Sequence, residues 1–181
     1  MSGHADSNSQ DGKPREISRL PPSGNRRPYR RPSVRLRNAA RAIIFFEDKI
    51  LLTRNRGAKG NWYLFPGGGQ LPAEELEATV RRECLEETGL VVKVGGLRFV
   101  REYIGAHHDF ADKDAHVHQI EFYFECEPMP GEDVREATNV DNTQIGIEWV
   151  PIEDLTKINL FPKALRTRVG KPGPTYLGDC N

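Results

Sequence analysis

Short apolar runs begin at Ala39 and alternate with polar turns. The runs "AARAIIFF" and "KILLTR" are rich in aliphatic and β-branched residues, and the acidic pair Glu47-Asp48 joins them. This pattern predicts a hairpin with a tight turn. The next run, "NWYLFPGGG", predicts a short aromatic strand that a proline stops and that opens into a glycine loop.

Longer strands are predicted in the second half of the chain. "VVKVGGLRFVREYI" and "VHQIEFYFEC" alternate or run apolar, and a polar loop at 105–116 separates them. "GIEWV" predicts a last strand, and a short helix is expected from Phe161 to Val169. No internal repeat interrupts this order.

The best helix candidate covers residues 73–88. Pro72 is expected at its start, and Gly89 suits a left-handed cap at its end. Strands interleaved with two helices in one unit predict an α/β fold with a sheet of mixed strand direction.

Charge and composition divide the chain of 181 residues into three segments. Residues 1–38 hold nine Lys or Arg against three acidic residues, so this segment carries +6 and the remainder carries −6. Residues 1–33 are nearly empty of large aliphatics, which predicts a disordered basic N-terminal arm. One folded domain at 39–169 and a C-terminal tail at 170–181 follow. The acidic domain argues against a broad nucleic-acid surface, and we favour an arm that stays solvated.

Three scattered cysteines, Cys84, Cys126 and Cys180, are too few for a disulfide framework or a CxxC metal site. They suit a reducing compartment, so a cytoplasmic protein is expected. Neither a secretory signal nor a membrane span is predicted, because no apolar run approaches the roughly 20 residues that cross a bilayer.

The predicted helix places acidic residues on its apolar face. On a helical wheel, Leu76, Val80 and Cys84 define a stripe that should face the sheet. Glu87 falls inside this stripe and Glu83 falls at its edge. An ordinary surface helix places its acids on the opposite face, and burial of an unpaired carboxylate costs several kcal/mol. A cation is therefore expected beside them.

Three glutamates, Glu83, Glu86 and Glu87, are neighbours at i, i+3 and i+4 on this helix. Clustered carboxylates repel one another unless a partner neutralises them. A hard divalent cation with oxygen ligands, Mg²⁺ or Mn²⁺, would do so and would leave positions for water and phosphate oxygens. The preceding glycines, residues 67–69, would let the backbone approach a ligand.

Residues 68–90 resemble the Nudix box: Gly, five residues, Glu, seven residues, then Arg-Glu-aliphatic-x-Glu-Glu-x-Gly-aliphatic. The matching residues are Gly68, Glu74, Arg82, Glu83, Glu86, Glu87, Gly89 and Leu90. Two features depart from the pattern. Cys84 occupies an aliphatic position, and "LPAE" stands where many relatives have Glu-x-Gly-Glu, which could remove an auxiliary acid. The resemblance extends more weakly over residues 39–169.

The resemblance implies a Nudix-type α/β/α sandwich and an enzyme that hydrolyses phosphoanhydrides. Members cleave a diphosphate linked to a group X, so ADP-ribose, sugar nucleotides and nucleoside triphosphates are candidate substrates. By position, Glu86 and Glu87 would bind Mg²⁺, with Mn²⁺ as the alternative, and Gly68 would contribute its backbone carbonyl. Glu83 would bind a metal ion or act as the general base. Arg82 would orient the glutamates and Glu74 would brace the loop.

Some members take the base from a later segment, which makes Glu121 and Asp141 candidates as well. Together with Gly67 and Gly69, these two acids form the expected substrate-binding set. For each acid, a solvated or salt-bridged role is the favoured alternative.

Two other clusters have competing interpretations. The segment 105–118 holds four of the five histidines with three aspartates, but their spacing matches no common zinc site. We favour a polar loop over substrate contact or zinc. Trp62 and Tyr63 could stack on a base, but a place in the core is favoured.

Two alternative functions remain beside the hydrolase. One is a catalytically silent regulator of Nudix fold that senses a nucleotide, and the other is an RNA pyrophosphohydrolase that uses the basic arm. Intact motif acids argue against the first, and the acidic domain argues against the second, since RNA binding relies on cationic surface. A homodimer is left open.

Overall fold

The predicted hairpin is confirmed. β1 (Arg35–Phe46) and β2 (Lys49–Gly57) pair antiparallel, and Glu47 between them takes a positive φ of 54°. β1 begins four residues before the expected start at Ala39, because residues 35–38 continue a ladder with a later strand. The computed structural model describes residues 34–58, 60–131 and 142–181.

The predicted mixed sheet is also confirmed. Within the described residues the strands that join β1 and β2 are β3 (Gly60–Leu64), β4 (Gly67–Gly69), β5 (Val92–Ile104), β6 (Val117–Pro128), β7 (Gln144–Pro151), β8 (Leu160–Phe161) and β9 (Tyr176–Asp179). The order is β8-β3-β2-β1-β6-β5-β9, with β4 on β1 and β7 on β2. The pairs β1–β6, β3–β8 and β5–β9 are parallel, and the others are antiparallel.

Helix α1 (Leu76–Thr88) ends as the sequence predicts. Gly89 has φ 66°, and its N–H donates to the Leu85 carbonyl. The predicted start at residue 73 after Pro72 is wrong. Ala73 has φ 63°, which a right-handed helix does not allow, so this segment is a turn before the helix.

Buried side chains cover both faces of the sheet, as the predicted sandwich requires. Val80 and Cys84 of α1 pack with Ala40, Ala42 and Ile44 on one face. On the other face, Leu155, Leu165 and Val169 from the C-terminal part cover a cluster that includes Ile43, Phe65, Phe99 and Tyr123. The parallel β1–β6 pair contributes residues to both clusters.

Other segments differ from the predicted local structure. The three glycines form strand β4 instead of a loop, because they pair with residues 39–41 of β1. The expected helix from Phe161 to Val169 is replaced by β8 and a 3₁₀ turn at Lys163–Leu165, since β8 pairs with β3. The segment expected to be a tail contains β9, which pairs with β5.

Polar loop 105–116 holds a 3₁₀ turn at Gly105–His107 and a short helix, α2 (Ala111–Asp114). None of the helices among the described residues combines the length and apolar character that a bilayer crossing requires.

Candidate active site

The C-terminal half of α1 turns its carboxylates toward the protein. Glu87 is only 8% exposed, and its Oε2 accepts a hydrogen bond from the Gly67 backbone N–H at 2.9 Å. The side chains of Glu83 and Glu86 are 14% and 29% exposed. The inward orientation predicted from the helical wheel is therefore confirmed for Glu83 and Glu87.

Arg82 connects the acidic residues of α1 to the preceding turn. Its guanidinium makes a two-point ion pair with Glu74, with Nε–Oε1 at 2.8 Å and Nη2–Oε2 at 3.0 Å. Nη2 also donates to the Gly69 carbonyl, and Nη1 donates to Glu83 at 2.7 Å and lies 3.5 Å from Glu86. One planar group thus fixes β4, the turn and two glutamates relative to one another.

Glu74 is held by the turn as well as by Arg82. Its Oε2 accepts hydrogen bonds from the Leu71 N–H and the Thr79 hydroxyl. The hydrogen bonds from Arg82, reinforced by those from Leu71 and Thr79, lower the pKa of Glu74 to about 2. Glu74 therefore stays ionised at neutral pH, as the bracing role requires.

Glycine at position 68 leaves space for the Glu83 carboxylate. A Cβ at Gly68 would lie 2.5 Å from the Glu83 Cδ, which is far inside van der Waals contact. Gly67 has φ 139°, a conformation that side chains rarely allow, and a Cβ there would collide with the Ala40 carbonyl. Two of the three glycines are therefore needed where backbone and carboxylates approach closely.

A cleft of about 480 Å³ opens beside this arrangement. One wall is formed by the three glutamates of α1 and by Arg82, and another by β4. The remaining lining residues are Arg37, Arg41, Leu64 and Gln119. Within the described part of the chain, the sequence-predicted residues Gly67, Gly68, Gly69, Arg82, Glu83, Glu86 and Glu87 all border this one cleft.

Among residues 34–58, 60–131 and 142–181, no three His, Cys, Asp or Glu side chains converge as ready-made ligands of one metal ion. Arg82 contacts Glu83 and Glu86, and the Gly67 N–H contacts Glu87. Carboxylate oxygens are nevertheless the donors that hard divalent cations prefer, and all three border one cleft. The donor set fits such a cation, which would compete with the Arg82 contacts.

Glu121 lies in a buried network behind the cleft. It is 3% exposed, and Arg101 Nε donates to its carboxylate at 2.6 Å. Tyr123 and Gln119 also donate to it, and Arg41 Nε lies 3.6 Å away. Burial alone would raise the pKa of Glu121, but Arg101 and Arg41 outweigh it and lower the pKa to about 2. This environment favours a structural role over that of a base. Asp141 lies outside the described residues.

Arg41 and Gln119 border the cleft but were missed by sequence reasoning. Arg41 is inside an apolar strand, yet its Nη1 donates to the Gly67 carbonyl at 2.6 Å and to the Phe65 carbonyl at 3.2 Å. A single arginine within "AARAIIFF" is a signal that could have identified it, because a buried cation needs several partners. Gln119 has no comparable signal.

The histidine-rich loop forms its own contacts. His107 Nδ1 and His108 Nε2 each lie 2.7 Å from an oxygen of Asp179 in β9, and His118 lies 3.0 Å from Glu102. Burial alone would raise the pKa of Asp179, but the two histidine hydrogen bonds contribute to lowering it to about 2. The loop thus fixes the C-terminal strand.

Trp62 and Tyr63 are both half-buried. Tyr63 packs against the core and donates to Glu148 at 3.0 Å, while Trp62 meets Phe161 edge to face. Neither aromatic lines the cleft that the glutamates border. The favoured assignment to the core therefore describes Tyr63 better than Trp62.

The model of the NUDIX domain family matches residues 35–169. The chain belongs to this family, and the predicted fold and enzyme class, a Nudix hydrolase, are confirmed. No protein among the curated ones matches the chain significantly.

Several solved structures share the fold. A NUDIX hydrolase from Nitrosomonas europaea has a TM-score of 0.59 at 20% identity, over 77% of this chain and 93% of its own. A MutT NUDIX hydrolase from Burkholderia pseudomallei has a TM-score of 0.57 at 22% identity, over 76% of this chain and 99% of its own. An ADP-ribose pyrophosphatase from Streptococcus suis has a TM-score of 0.51 at 20% identity, over 80% of this chain and 98% of its own. At these identities the likeness concerns the fold.

Proposed function

We propose that the protein is a Mg²⁺-dependent hydrolase that cleaves the diphosphate linkage of nucleoside diphosphate-X compounds. ADP-ribose, sugar nucleotides and nucleoside triphosphates are the candidate substrates. The observation that carries the proposal is the shared cleft of Glu83, Glu86 and Glu87, held in place by Arg82 and the close approach of Gly68. One related fold is named as an ADP-ribose pyrophosphatase, which supports this substrate class.

Glu86, Glu87 and the Gly68 carbonyl would hold the cation, with Glu83 as a further ligand. When bound, Mg²⁺ or Mn²⁺ supplies positive charge against the phosphate oxygens and lowers the pKa of the attacking water. Arg82 keeps Glu83 and Glu86 at fixed positions, and Glu74 anchors Arg82. Such fixed positions matter because phosphoryl transfer depends on alignment and on charge stabilisation.

Glu83 is the proposed acceptor of the proton of the attacking water. Its side chain borders the cleft, whereas Glu121 is buried in an ion pair with Arg101 and does not. Attack of water oxygen on phosphorus would break one phosphoanhydride P–O bond. The products are a mononucleotide and the phosphorylated group X, which is pyrophosphate when the substrate is a nucleoside triphosphate.

The test is release of mononucleotide from a panel of ADP-ribose, UDP-glucose and nucleoside triphosphates with Mg²⁺. Glu86→Gln and Glu87→Gln should lose most activity. Glu77→Gln is the matched control, because Glu77 lies on the exposed face of α1 and pairs with Arg81. If the wild type and both variants turn over every compound equally slowly, the hydrolase assignment fails. Tight binding without turnover would instead indicate the regulator.

The segment boundaries remain proposals, with an arm at 1–38, a domain at 39–169 and a tail at 170–181. The same holds for a cytoplasmic location, for a homodimer, and for small nucleotides as partners in place of nucleic acid. Deleting residues 1–33 should leave turnover of small substrates unchanged, and a large loss would contradict the solvated arm.

A further inference from the structure

Arg37 is a cation at the cleft without a protein partner among the described residues. It lies on β1, its side chain is exposed, and it lines the same cleft as the glutamates of α1. Within the part of the chain that the structure describes, no carboxylate or carbonyl accepts a hydrogen bond from its guanidinium. Exposed arginines are ordinary on a protein surface, but this one lines the cleft.

The Arg37 guanidinium packs against the backbone of β4. A Cβ at Gly69 would collide with the Arg37 Nη2 atom, so the missing side chain is what admits the guanidinium. In the β1–β4 ladder Gly69 pairs with Ala39, two residues from Arg37. The φ of Gly69 is not positive, so its backbone conformation does not require glycine. The space it leaves is filled by Arg37.

The other two arginines of the cleft are already engaged. Arg41 donates to two backbone carbonyls and lies beside Glu121, and Arg82 is paired with Glu74 and Glu83. Arg37 donates no hydrogen bond to a described residue, so its whole guanidinium can face a ligand in the planar arrangement that matches phosphate oxygens.

We propose that Arg37 is a substrate-binding residue that contacts the diphosphate group in the cleft, and that Gly69 is glycine to admit it. This deepens the proposed function and rests on the cleft being the substrate site. Gln119 pairs with Arg37 in the β1–β6 ladder and also lines the cleft, so it is the neighbouring contact. The ligand class is a phosphoanhydride, whichever nucleoside or other group it carries.

The test is equilibrium binding by calorimetry in the presence of Mg²⁺. The probes are α,β-methylene-ADP, which has no hydrolysable bridge, methylenediphosphonate, which has no nucleoside, and adenosine, which has no phosphate. Arg37→Gln should weaken binding of the first two about ten-fold to a hundred-fold, as expected for loss of charge-assisted hydrogen bonds. Binding of adenosine should not change, and Arg37→Lys should recover part of the loss.

Gly69→Ala should weaken the same two probes, and the double variant with Arg37→Gln should be no worse than the worse single one. Arg168→Gln is the control, because Arg168 is an exposed arginine that does not line the cleft. Unchanged diphosphate binding in Arg37→Gln would overturn the inference even if the wild type hydrolyses its substrates. An Arg37-dependent affinity in a protein that hydrolyses nothing would support the inference and refute only the hydrolase assignment.

Discussion

The Glu83 carboxylate occupies the space that a side chain at position 68 would fill, with its Cδ 2.5 Å from the ideal Cβ position of Gly68. Backbone of β4 and a carboxylate of α1 therefore approach as closely as glycine allows. This packing places the Glu83 carboxylate against the β4 backbone at the cleft.

Gly68→Ala should reduce turnover with little loss of stability. The added methyl group must push the end of the Glu83 side chain away, and a misplacement of about 1 Å can cost roughly 100-fold in rate. The measurements are kcat and the thermal midpoint. Gly96→Ala is the control, since Gly96 lies in β5 and a Cβ there has no neighbour within 4 Å. Full activity in Gly68→Ala would contradict the role of this close approach.

Arg82→Lys should lower both stability and kcat. A lysine keeps the charge but cannot make the two-point pair with Glu74 together with the contacts to Gly69 and Glu83. We expect a loss of about 1 to 3 kcal/mol in the free energy of unfolding, measured in guanidinium chloride. Adding Glu74→Gln should cost less than the two single changes combined. Arg81→Lys on the exposed face should have no such effect, and equal losses in both arginine variants would argue against a special place for Arg82.

Glu121→Gln should destabilise the fold and leave the shape of the pH–rate profile intact. Removing one partner from a buried ion pair costs about 3 to 5 kcal/mol, because the remaining charge of Arg101 is left uncompensated. If Glu121 has a structural role, the acidic limb of the profile stays at the same pH. Activity is measured below the lowered melting temperature of the variant. Loss of that limb in a variant of normal stability would instead identify Glu121 as the base.

Acid should destabilise the protein between about pH 4.5 and pH 2. The folded-state pKa values of Glu74, Glu121 and Asp179 are all lowered to about 2. Unfolded carboxyls titrate near pH 4, so the unfolded state binds more protons in this range. The stabilisation is present above the unfolded pKa values and is lost as the pH falls. Denaturant midpoints measured from pH 7 to pH 2.5 should decline in this window, and a flat or rising midpoint would contradict the ionised networks.

Periodicity along the chain was enough to predict the acidic face of α1. Spacing alone places Glu83 and Glu87 beside Val80 and Cys84, and the preference of a left-handed cap for glycine finds the end of the helix at Gly89. These features are local, since residues three or four apart on a helix share a face whatever the rest of the chain does.

Features that depend on distant partners were missed. The three glycines extend as a strand because β1 pairs with them, and the ion pair of Arg101 with Glu121 forms because β5 lies beside β6. The start of α1 was misplaced because Ala73 adopts a positive φ. Alanine rarely does so, and the sequence therefore gives no sign of this turn. Long-range register decides such features, and a single sequence does not encode it in a readable way.

We propose that the glutamates of α1 bind a divalent cation. Equilibrium binding of Mn²⁺ tests this most directly, and the loss of the free-ion electron paramagnetic resonance signal reports it. The wild type and Glu77→Gln should bind Mn²⁺ alike, whereas Glu86→Gln and Glu87→Gln should bind at least about ten-fold more weakly, as loss of a charged ligand implies. Equal Mn²⁺ affinity in all four proteins would contradict a cation site formed by Glu86 and Glu87.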